Sequence, residues 1–174
     1  VDWIRLNDNP DTQLYFGNEI AETGNFGVYT ETTPVNASLA YQTGTEPGFE
    51  YGTHAALFIW NNLTPATPPA PSAGSQCWSF DIAGGNWFGM GVLLPNFRNM
   101  MNYSDGYLHF DIKTTGAASM KVGVKSSRGG EFWLPLGADG TSEFGFARDG
   151  QWHSLKIPLN RFANTDFRTI HQIF

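Results

Sequence analysis

The 174-residue sequence predicts an all-β fold, an antiparallel two-sheet β-sandwich, and three observations carry that expectation. The stretch 104–159 alternates apolar and polar residues in short runs separated by clusters of Gly, Ser, Thr and Asp, the period-two pattern of half-buried strands. Glycine is frequent and no long run repeats with helical period, which favours a sandwich or barrel over a bundle. Hydrophobic residues make up 41% of the chain, enough for one domain, residues 1–174, with a sizeable core.

From the N-terminus, VDWIRL (1–6) reads as a strand that ends in the turn 7–11, NDNPD. LYFG (14–17) and GNFGVYT (24–30) are short strands, and 38–42 is a segment that pairs at an edge. After a loop at 43–52, AALFIW (55–60) is a buried strand. Residues 63–75, LTPATPPAPSAGS, are proline-rich and expected to run extended without sheet pairing. Strand-like flanks on both sides make this a long loop within one domain rather than a linker. QCWSFDI (76–82) and WFGMGVLL (87–94) continue the strand series, and 95–105 reads as an irregular connector. In WFGMGVLL, Gly89 and Gly91 share a face with Trp87. Bare backbone beside an indole lets something flat lie close, or else relieves packing and twist.

In the central stretch, Leu108, Phe110 and Ile112 oppose Tyr107, His109, Asp111 and Lys113. Met120, Val122 and Val124 oppose Lys121, Gly123 and Lys125, and Phe132 and Leu134 oppose Trp133. Each strand thus offers one core face and one wet face.

Composition excludes several partners. The net charge of −6 comes from few charges of either sign and no basic run is visible, which argues against nucleic acid. No basic amphipathic segment and no bilayer-length apolar run points to a membrane. The single cysteine, Cys77, can form neither an internal disulfide nor a cysteine-based zinc site. The four histidines are scattered without metal-ligand spacing, and no G-x-S-x-G elbow is present. Asp105, Asp111, Glu131, Glu143 and Asp149 lie in or beside the central strands, but no motif selects two of them as a hydrolytic pair.

Six tryptophans in a small β domain exceed what its core requires. A pyranose ring has an apolar C–H face that stacks on an indole, and its hydroxyls seek nearby polar side chains. The composition therefore points to sugar binding.

NFGVYTETTP, GGNWFGMGV, NYSDGYLHFDIKTT, MKVGVKSS, EFWLPL, FARDGQWHSLKIPLNRF and TIHQIF together resemble a bacterial carbohydrate-binding module. The type is the galactose-binding-like jelly roll appended to secreted, often marine, polysaccharide-degrading enzymes. The resemblance covers nearly the whole chain from Leu14. It implies a non-catalytic, extracellular module that holds an attached glycoside hydrolase or lyase on a polysaccharide such as a β-glucan or algal galactan. A structural or adhesive β-sandwich is the alternative, and it is favoured if Trp60, Trp87 and Trp133 are all buried.

The resemblance also implies a structural calcium ion, which needs several hard oxygen ligands. Asp2, Glu31 and Glu50 are the candidates. Modules of this type continue past the QIF stretch into a last strand, which residues 1–6 resemble. Those residues either fill the last-strand position, in a monomer or between strand-swapped copies, or form the tail of a preceding module. Family 16 glycoside hydrolases also end in a similar strand. A missing central strand would leave backbone groups unpaired, so residues 1–6 are expected to pair within a sheet.

The candidate sugar-binding residues are Trp60, Trp87, Arg98, His109, Lys121, Lys125 and Trp133. The indoles would supply stacking platforms, and the lysine amines would donate to ring hydroxyls. The alternative is that the lysines form a solvated edge and the tryptophans cap the core. Trp3, Trp78 and Trp152 are assigned to structure.

Overall fold

The computed structural model describes residues 26–27, 39–43, 55–85, 87–137 and 143–174. These contain ten strands: β1 (Leu39–Thr43), β2 (Ala55–Asn61), β3 (Leu63–Pro65), β4 (Phe80–Ile82), β5 (Phe88–Arg98), β6 (Tyr107–Lys113), β7 (Lys121–Ser126), β8 (Gly130–Pro135), β9 (Trp152–Pro158) and β10 (Ile170–Gln172). Six form one sheet in the order β1-β2-β5-β10-β7-β8, while β6 pairs with β9 and β3 with β4. All pairs are antiparallel except β1 with β2, a parallel pair at one edge of the described sheet.

The core lies between the six-stranded sheet and the β6–β9 pair. Leu57, Val92, Leu94, Val122, Val124, Leu134 and Ile170 meet Leu155 and Ile157 of β9 there. From β6, Phe110 packs edge-on against Phe174 with ring centroids 4.8 Å apart. The alternation read from the sequence is present on β6, where Leu108, Phe110 and Ile112 are the less exposed set. Burying such apolar side chains contributes about 1.5–3 kcal/mol each, which is what fixes the strand register.

Two stretches differ from the sequence expectation. The proline-rich segment does pair at its start: Leu63, Thr64 and Pro65 lie opposite Ile82, Asp81 and Phe80. Pro65 closes this short strand, where its missing N–H costs no central ladder bond, and the Ala66 N–H donates to the Ser79 carbonyl at 2.8 Å. The rest of the loop lies against the β6–β9 layer. The Trp152 indole donates to the Ala70 carbonyl at 3.0 Å, and the Ser72 hydroxyl donates to the Asp111 carboxylate.

The second stretch is 95–105, expected to be irregular. Instead β5 runs on to Arg98, and a short 3₁₀ turn occupies Met101–Tyr103. A bulge makes this pairing work. Gln172 faces Leu93 while Ile170 faces Arg98, so β5 carries extra residues across that interval and accommodates Pro95 within it. Residues 1–6, and with them the expected closing strand, lie outside the described residues.

Candidate functional site

The outer face of the six-stranded sheet is built by the residues that alternate with the core set. Gly123 lies opposite Trp133, and Lys125 opposite Glu131, on β7 and β8. On the other side of β10, Trp60 lies opposite Gly89, and Phe58 opposite Gly91, on β2 and β5. Gln172 of β10 faces Leu93 and Lys125 at once, which sets the two halves in common register.

Because β5 and β7 both run antiparallel to β10, Gly91 and Gly123 fall in the same row, each two residues before the partner of Gln172. Two interstrand steps separate them, about 10 Å. An indole covers each glycine. A Cβ placed on Gly91 would come within 2.6 Å of the Trp60 ring, and one on Gly123 within 2.5 Å of the Trp133 ring. A Cβ on Gly89 would lie 3.4 Å from the Trp60 ring and 3.6 Å from the Trp87 ring, so both indoles border that glycine.

Exposure rises along this face. Phe58 and Leu93 are buried with Trp60 packed against them, its ring stacked on Phe58 at 6.2 Å and 24°. Trp133 is 42% exposed and Trp87 57%, values unusual for tryptophan in a small domain. Trp87 is nevertheless held. The side-chain amides of Asn61 and Asn62 both donate to its backbone carbonyl, at 2.7 and 2.9 Å. Gly85 leaves room for the Asn62 amide, which a Cβ there would strike at 2.2 Å.

Polar groups surround the indoles. Lys125 and Glu131 pair at 3.9 Å, both partly exposed, a loose ion pair of small stabilising value. Lys121 is exposed on the same face, opposite Pro135. The Gln172 amide is almost buried and donates to the Phe174 carbonyl at 3.1 Å. His171, also buried, meets Phe97 edge-on at 5.6 Å. Burial, assisted by the Lys125 charge, pushes its imidazole down to about 4.

Five of the seven expected residues thus share one face: Trp60, Trp87, Lys121, Lys125 and Trp133. Two stand apart. His109 belongs to β6, whose core-facing side packs on the other side of the six-stranded sheet, so His109 looks out from the opposite exterior beside Tyr107 and Lys156. Arg98 ends β5 opposite Ile170, with most of the 11-residue strand between it and Trp87. The calcium candidates Asp2, Glu31 and Glu50 lie outside the described residues. Among the described residues, no three His, Cys, Asp or Glu side chains cluster to hold a metal ion.

The sugar-binding candidates read from the sequence did not include Gln172, Glu131, Asn61 or Asn62. Glu131 was detectable by its two-residue spacing from Trp133. Gln172 was not, since IHQ is too short to show a period and only its central place in the sheet gives it neighbours.

Three of the carboxylates in or beside the central strands, Asp111, Glu143 and Asp149, are engaged in local structure. Asp111 accepts from Ser72, Asp149 from His153 at 2.8 Å, and Arg161 donates to Glu143 at 2.9 Å. What the outer face can do is stack and hydrogen-bond: exposed indole surface beside an amine, a carboxylate and an amide.

A β-sandwich with such a face is a carbohydrate-binding domain in architecture and surface chemistry. The chain belongs to the family Carbohydrate binding domain 30, whose model matches residues 16–174. Comparison with curated proteins and with solved structures gave no match.

Proposed function

We propose that this chain is a non-catalytic module that binds a polysaccharide, a β-glucan such as laminarin or an algal galactan such as agarose, on the outer face of the six-stranded sheet. The observation that carries this reading is the exposure of Trp87 and Trp133, 57% and 42%, on one face with Lys125 and Glu131. A structural or adhesive sandwich has no use for two solvent-facing indoles, one of them, Trp87, with its backbone carbonyl held by paired asparagines, and exposed tryptophan is costly unless a ligand covers it. Sugar C–H faces would stack on the indoles, and Lys121, Lys125 and Glu131 would meet the equatorial hydroxyls.

The module would act by tethering. An attached hydrolase or lyase kept on the polymer sees a raised effective substrate concentration without new chemistry in the module. A polymer of that size is met outside the cell, so the proposed setting is extracellular. The galactose-binding-like jelly roll and the structural calcium ion belong to the proposal on the strength of the sequence resemblance.

Affinity electrophoresis through gels containing laminarin, mixed-linkage β-glucan or agarose tests the reading. At least one glycan should retard the wild-type chain. Trp133→Ala and Trp87→Ala should each weaken binding by roughly tenfold or more, the loss typical of a buried aromatic contact. No retardation on any of the three, or full retardation of both variants, would overturn it. The isolated chain should release no reducing ends from these polymers.

A further inference from the structure

Two glycines in one row of the sheet each lie beneath an indole, and the distances define how the rings lie. A Cβ on Gly123 would be 2.5, 2.8 and 2.8 Å from Cε3, Cδ2 and Cζ3 of Trp133. Those atoms are a ring carbon and its two bonded neighbours, and distances so nearly equal arise only for a point above the ring face. A point beyond the ring edge would be much farther from the neighbours than from the nearest atom. At Gly91 a Cβ would be 2.6 and 2.9 Å from Cη2 and Cζ3 of Trp60 and 2.7 Å from the Gln172 side-chain nitrogen, so ring and amide together cover that glycine. The Trp133 indole therefore lies with one face down on bare backbone. Its opposite face looks away from the sheet, about 10 Å across β10 from the Trp60 ring over Gly91.

We propose that Gly123 is a positioning residue for glycan binding, a seat that lays Trp133 flat so that its outward face is presented to the same chain as the Trp60 ring over Gly91. This rests on the proposed glycan platform and adds a cause to it. The indoles alone do not make the platform; the missing side chains beneath them do. Any residue with a Cβ at position 123 pushes the Trp133 ring off the sheet and turns its edge toward the ligand. The flat stacking face is then lost.

A simpler role exists for such pairs, in which a cross-strand aromatic covers a glycine and repairs a weak point in the strand. Adding a methyl group separates the two roles. If the tryptophan serves only to repair the strand, Gly123→Ala removes the weak point and leaves binding as it was. In the seat role, the fold tolerates the change, because the half-exposed Trp133 ring can swing into solvent, while binding falls.

The test uses the full chain and whichever of laminarin, mixed-linkage β-glucan and agarose retards it. Gly123→Ala should keep or raise the melting temperature, since alanine suits a strand interior better than glycine. It should weaken binding roughly tenfold and move the indole N–H resonance of Trp133 while those of the other tryptophans stay in place. In a Trp133→Ala background, Gly123→Ala should have no further effect on affinity, as expected of residues acting through one another. Gly91→Ala should lose both stability and binding, because the Trp60 ring is packed against Phe58 and cannot swing away.

Wild-type affinity in Gly123→Ala, or an additive loss in the Trp133→Ala background, overturns the seat proposal and leaves the platform standing. Wild-type affinity in Trp133→Ala overturns the seat as well, and wild-type affinity in both Trp133→Ala and Trp87→Ala, or no glycan bound by the wild type, overturns the platform with it.

Discussion

His171 sits on β10 between the two halves of the outer face, next in sequence to Gln172, and is buried. Burial and the nearby Lys125 amine disfavour its charged form and hold it near 4, below the ordinary 6.5, while Glu131 opposes them. In the folded chain the imidazole stays neutral over most of that interval; in the unfolded chain it takes up a proton as the pH falls below 6.5. The unfolded state then binds more protons, so stability is full above 6.5 and declines as the pH falls toward about 4. Melting temperature measured over that window should fall more steeply for the wild type than for His171→Gln. Parallel curves would rule out His171 as the source. The same group lies within the field of the Lys125–Glu131 pair, so the glutamine variant also reports whether the platform depends on its neutrality.

At the scale of elements, glycine does two different jobs in adjoining segments. Gly129, in the turn between β7 and β8, faces backbone: a Cβ there would lie 1.9 Å from the Asn164 carbonyl oxygen and 2.6 Å from the Asp166 nitrogen. Main chain on both sides cannot yield as a solvent-facing indole can. Gly129→Ala should therefore cost about 1–3 kcal/mol, read as a lowered denaturation midpoint, whereas Gly123→Ala should not. Equal stability of the two variants would refute the distinction. The proline-rich hairpin presents the second element-scale case. Its path over β6 and β9 is held from outside by the Trp152 indole and the Asp111 carboxylate, and beyond Pro65 from within by the Ala66 N–H on the Ser79 carbonyl and the Cys77 thiol on the Pro69 carbonyl. Trp152→Phe keeps the aromatic bulk and deletes the donor, so it should leave the Ala70 carbonyl unpaired and speed proteolytic cleavage within 66–75, with little change in the global melting temperature. Unchanged cleavage would show that the Trp152–Ala70 bond does not hold the hairpin.

At the scale of the whole molecule, the two exteriors of the sandwich have different characters. One carries Trp60, Trp87, Trp133 and a thin set of polar groups. The other carries Tyr107 under the Lys156 amine at 4.0 Å, His109, and the hairpin laid across β6 and β9. Among the described residues, no such hairpin crosses the proposed ligand face, and Trp87 and Trp133 stay open to solvent, as a site for a long polymer requires. The proposed calcium ion acts at this scale too, since a bound metal stabilises the folded state by mass action. Exhaustive chelation should lower the melting temperature, and restored calcium should return it; metal analysis and melting curves unaffected by chelation would remove calcium from the proposal.

Much of this was written locally. The alternation in β6, β7 and β8 determined the fold class and sorted Val122, Val124, Phe132 and Leu134 inward from Lys121, Lys125 and Trp133, because a strand's side chains point to opposite faces by geometry alone. The same rule placed Trp87 with Gly89 and Gly91. It could not say which strands are neighbours: His109 alternates as well as Lys121 does, yet β6 belongs to the other layer. Strand order is decided by how the whole chain buries its apolar faces at once, a property of no single segment. Only the tertiary structure could insert β10 between β5 and β7, bring Gln172 beside Lys125, and set two glycines in one row beneath two indoles. Those contacts join residues far apart in the chain, and the free energy that selects them comes from a core that exists only once the layers have met.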